Sequence, residues 1–87
     1  MLIPRLVTTK EGNPATLSSL SREMNERGFT RTDSSDATEI LWKKGDMELT
    51  ITQCKDWRCA IVTCLKEGIR EALDMQYMEE GSAIVVD

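Results

Sequence analysis

The stretch Thr38 to Gln53, TEILWKKGDMELTITQ, decides the fold. Gly45-Asp46 is a two-residue loop of the Gly-X kind that suits a II′ hairpin turn, because glycine takes the positive φ that other residues resist. This loop sets the register: Lys44 faces Met47, Lys43 faces Glu48, Trp42 faces Leu49, Leu41 faces Thr50, Ile40 faces Ile51 and Glu39 faces Thr52. One face then gathers Ile40, Trp42, Met47, Leu49 and Ile51, and the other gathers Glu39, Leu41, Lys43, Glu48, Thr50 and Thr52. A slip by one residue would send the apolar set into water, so burial holds the register more firmly than the Lys43/Glu48 pair does.

Working outward, Cys54 and Cys59 flank a second turn, Lys55-Asp56-Trp57-Arg58. Pairing these two sets Val62 opposite Ile51 and Cys64 opposite Leu49 on the buried side, with Cys59, Ile61 and Thr63 facing out. Upstream, Phe29 to Asp33 reads as a strand that lies beside the hairpin. Before it, Asn13-Pro14 reads as an N-cap and first helical position; Leu17, Leu20 and Met24 form one apolar face, and Gly28 ends the helix. Downstream, Leu65 to Glu80 reads as a second helix that stops before Gly81, with Leu65, Ile69, Ala72, Leu73 and Gln76 on one stripe. Leu2 to Thr9 is a marginal edge strand because Pro4 cannot donate to a ladder. The tail SAIVVD is β-prone; it either joins its own sheet, beside Leu2 to Thr9, or pairs with a second copy as a homodimer through Ala83–Val86.

The expected fold is therefore α+β, a single domain over 1–87, with two helices on one face of an antiparallel sheet of about four strands. The order is β-α-β-β-β-β-α-β, with marginal terminal strands.

Composition narrows the function more by exclusion than by signature. The chain has 87 residues, 30% of them charged, and a net charge of −4. The first 44 residues hold seven Lys/Arg against six Asp/Glu, and the rest hold four against nine. This acidity does not favour nucleic acid and suits a basic protein surface instead. No apolar run approaches a membrane span, and Met1 to Val7 lacks the form of a signal peptide, so the expected compartment is the cytoplasm. There is no histidine, which removes the commonest general base and the Ser-His and Cys-His pairs. No glycine-rich phosphate loop is present, and three cysteines at a spacing of five are read as free packing thiols and not as a zinc site. Neither cofactor nor metal is expected, and the chain is not read as an enzyme.

Two candidate contact surfaces remain. Trp57, beside Arg58 at a turn, has the character of an interface anchor, and Leu41 and Ile61 form, with Cys54 and Cys59, a half-apolar patch among threonines on the outer sheet face. The second surface is the carboxylate array Glu67, Glu71, Asp74, Glu79 and Glu80 on helix two, which could occupy a basic, nucleic-acid-binding groove on a protein partner.

Arg27-Gly28-Phe29, where a first helix runs through "GF" into a hairpin, resembles the helix, three-strand, helix core of double-stranded-RNA-binding domains and of HicA-type toxins over residues 14 to 78. The toxins rely on a strand histidine, which this chain lacks. The RNA-binding domains carry lysines where this chain has Leu65-Lys66-Glu67-Gly68, so no functional residue carries over.

The leading expectation is a non-enzymatic regulator or inhibitor that binds a protein, of the phage or mobile-element kind that includes anti-CRISPR and anti-restriction proteins. The alternative is a degenerate nucleic-acid-binding domain of double-stranded-RNA-binding-domain shape, using Arg22, Arg27, Lys43 and Lys44.

Overall fold

A computed structural model describes residues 4–9, 11–33, 38–54, 58–66, 68–69 and 79–87. The described strands are β1 (Arg5–Leu6), β2 (Thr30–Asp33), β3 (Glu39–Lys44), β4 (Met47–Gln53), β5 (Cys59–Leu65) and β6 (Ser82–Val85); the helix α1 spans Leu17–Glu26. The strands form one sheet in the order β1-β6-β5-β4-β3-β2. The α+β class holds. The described sheet has six strands instead of about four, because both terminal segments are recruited into it.

The β3–β4 hairpin has the register expected from Gly45, from Glu39↔Thr52 to Lys44↔Met47, and Gly45 takes a φ of 59°. Trp42, Leu49 and Ile51 are almost wholly buried, in one cluster with Leu20 and Met24 of α1 and with Phe29, Val62, Ile69 and Ile84. The helix thus covers the face that the alternation pattern marked as apolar.

Two local expectations are corrected. The helix begins three residues beyond Pro14, with Thr16 as N-cap: Thr16 Oγ1 accepts from Ser19 N at 3.1 Å, and Ser19 Oγ accepts from Thr16 N at 3.0 Å. This reciprocal capping box satisfies both donors. The Asn13-Pro14 segment instead closes a turn, with Thr9 N donating to Asn13 O at 2.7 Å and Ala15 N donating to Val7 O at 2.8 Å. The helix end is as expected. Gly28 has φ 87°, Gly28 N donates to Asn25 O and Phe29 N to Met24 O, which is a Schellman motif with two buried residues, Phe29 and Met24, at its apolar contact.

The second correction concerns β5. Val62 does oppose Ile51, but the register shifts between Thr50 and Ile51, so that Cys64 pairs with Thr50 and Leu65 with Leu49. Thr63 is the extra residue of a bulge, and its hydroxyl lies 3.2 Å from Thr52 Oγ1 and 3.3 Å from Thr50 O. The bulge moves Cys64 to the outer face and lets Leu65 pack against the core. Leu65 therefore belongs to a strand, not to the start of a helix; the body of the expected second helix falls mainly on residues outside those described.

The tail resolves between its two alternatives. β6 lies between β5, antiparallel, and β1, parallel, and Val85 N donates to Ala15 O at 2.9 Å. Both of its edges are used within the chain, so Ala83–Val86 offers no edge to a second copy. At the end of the tail, Asp87 Oδ1 accepts from Ser18 N at 3.2 Å, a carboxylate at the positive end of α1.

Candidate functional site

The outer sheet face is built by the register. Thr32, Leu41, Thr50 and Cys64 make one cross-strand row, and Glu39, Thr52, Ile61, Ala83 and Leu6 make the next. Leu41 and Ile61 are half-buried and Leu6 is 53% exposed. Ala83 is buried yet stands outside the core cluster, as a small residue on this outer row should. The structure brings Leu41 and Ile61 onto one face, on either side of β4, with Thr50 and Thr52 between them. Beyond Ile61 the face continues through Cys59 and its partner Val85, both half-buried.

One end of the face is charged. Glu48 Oε2 lies 2.7 Å from Lys66 Nζ, and its Oε1 lies 3.8 Å from Lys43 Nζ. The hydrogen bond from Lys66 is the main cause that holds the Glu48 carboxyl below its ordinary value; partial burial works against it, and the charges of Lys66 and Lys43 add to it. The same hydrogen bond raises the Lys66 ammonium. The Lys43/Glu48 pair was legible in the hairpin; Lys66 was not, because it reaches Glu48 only after the bulge shifts β5.

Of the other sequence-derived candidates, Trp57, Glu67, Glu71 and Asp74 lie outside the described residues. Glu79 and Glu80 have structural contacts: Glu79 Oε2 is 3.5 Å from Arg5 Nη1, and Glu80 Oε1 accepts from Leu65 N at 3.4 Å. Of the basic positions, Lys43, Arg27 and Lys44 have partners within the chain. Arg27 pairs with Glu23 at 3.0 Å, and Lys44 Nζ donates to Arg27 O at 2.6 Å while standing 5.7 Å from the centre of the Phe29 ring. Among the described residues, no group of three or more His, Cys, Asp or Glu side chains could hold a metal ion, and no helix is long and apolar enough to cross a membrane.

No family model, curated protein or solved structure matches the chain. The strands β2 to β5 run on into β6 and β1 without a break in the sheet, so the three-strand core of the RNA-binding domains is not set apart here.

Proposed function

We propose that this chain is a non-enzymatic protein-interaction domain, acting as a regulator or inhibitor by laying its outer sheet face against a protein partner. The observation that carries this reading is the face itself: Leu6, Leu41, Ile61 and Val85 stand among threonines on the side of the sheet opposite α1. Surfaces of this composition supply apolar area and hydroxyls that can hydrogen-bond beside it. The net charge of −4 favours a basic partner, such as the nucleic-acid-binding surface of another protein. Compact acidic inhibitors carried by phages and mobile elements, acting in the cytoplasm, fit this description.

The test is capture of partners from the native host by the wild type and by a Leu41→Glu/Ile61→Glu variant, with circular dichroism to verify that the variant is folded. Loss of the captured partner by the folded variant is the expected result. Equal capture by both proteins refutes the assignment of this face. A nucleic-acid-binding role has less support, since Arg27, Lys43 and Lys44 all have intramolecular partners; a gel shift with duplex RNA and DNA at low salt tests it directly.

A further inference from the structure

Three cysteines allow three pairings, and the sheet geometry permits one of them. Cys64 is five residues from Cys59 along β5, which is about 16 Å. From Cys54 it is separated by the four residue steps from Thr50, its own partner, to Cys54, about 13 Å along the chain. Both spans exceed the ~7 Å limit between Cα atoms that a disulfide tolerates. Cys54 and Cys59 are different. The β4–β5 register ends at Gln53↔Ala60, at the last residue of β4; extended by one step, it puts Cys54 opposite Cys59. Directly opposed residues of antiparallel strands have Cα atoms about 4.5–5.5 Å apart, within the range of roughly 4.4–6.8 Å that disulfides occupy. Cys59 stands on the outer face, the alternation of β4 extended by one residue puts Cys54 on the same face, and both are half-buried free thiols. Their proximity has an electrostatic trace: burial raises the Cys59 thiol above its ordinary value, and the neighbouring Cys54 adds to the rise.

We propose that Cys54 and Cys59 are a reversible dithiol–disulfide couple, closed by a low-molecular-weight disulfide such as oxidised glutathione, with Cys64 left as a thiol in both states. The Cys54 or Cys59 thiolate attacks one sulfur of the oxidant and expels a thiolate, which takes up a proton. The second cysteine then displaces the other half from the mixed disulfide. The two cysteines give up two protons and two electrons, and the oxidant is reduced to two thiols. In a reducing compartment the pair stands open, and a rise in oxidant closes it.

Lys55 and Arg58 lie between the two cysteines, so trypsin cuts the ring and leaves its two halves held together only by the disulfide. The native chain and its Cys64→Ser variant are incubated with oxidised glutathione, then digested and analysed by mass spectrometry. In both, the expected result is an intact mass lower by about 2 Da, the mass of the two hydrogens lost on ring closure, with peptides joined across Lys55–Arg58 until a reductant is added. In Cys59→Ser, closure should stop at a glutathione adduct on Cys54. A stable glutathione adduct on Cys54 or Cys59 of Cys64→Ser, without joined peptides, overturns the proposal. So does a linkage to Cys64 in the folded wild type.

Discussion

The Gly28→Ala substitution isolates one backbone effect. Gly28 has φ 87°, a conformation in which a side chain costs about 1–2 kcal/mol. A Cβ built there meets nothing closer than Lys44 Cε and Nζ, both at 3.7 Å, which is ordinary contact, so no clash adds to the backbone term. The substitution also restricts the unfolded chain, which returns about 0.4–1 kcal/mol, leaving a net loss of roughly 1 kcal/mol. For a domain of this size that loss lowers Tm by about 4–8 °C. The assay is thermal and urea unfolding followed by circular dichroism. Gly28→Asn should lose less than Gly28→Ala, because asparagine tolerates this region better. Lys44→Met should add its own loss by removing the donor to Arg27 O at the negative end of the helix. A Tm for Gly28→Ala equal to that of the wild type would mean that residue 28 does not hold the left-handed conformation. The Schellman ending of α1, and the seating of Phe29 beneath it, would then be wrong.

Two further outcomes follow from the same geometry. Thr16→Ala should cost about 0.5–2 kcal/mol as the loss of an N-cap while Asn13→Ala changes urea stability far less; the reverse order would restore the helix start to Asn13. The folded-state pKa of Glu48 is lowered, so its contribution is present above the ordinary carboxylate value and disappears as pH falls through the lower folded value. The folded-state pKa of Lys66 is raised, so its contribution is present below the ordinary lysine value and disappears as pH rises through the higher folded one. Lys66→Met should therefore flatten the acid limb of a Tm-against-pH profile, and an unchanged acid limb would remove the Glu48–Lys66 bond as a stabilising contact.

Features that depend on near neighbours are written into the order of residues. A glycine able to take positive φ and a strict alternation of apolar side chains are enough to place Trp42, Leu49 and Ile51 inside and Leu41 and Thr50 outside. A glycine after an apolar helical stripe is enough to end α1. The rest depends on contacts between segments far apart along the chain. The start of α1 lies at Thr16 and not at Asn13 because Val7 O and Val85 N claim the backbone of Ala15 and hold Asn13-Pro14 in a turn, contacts that no local pattern records. The tail SAIVVD had two acceptable partners, and only the assembled sheet, with β5 on one side and β1 on the other, chooses between them. Cys64 moved to the outer face because an extra residue in β5 allows Leu65 to reach the core, a gain in burial that no local pattern around Thr63 records.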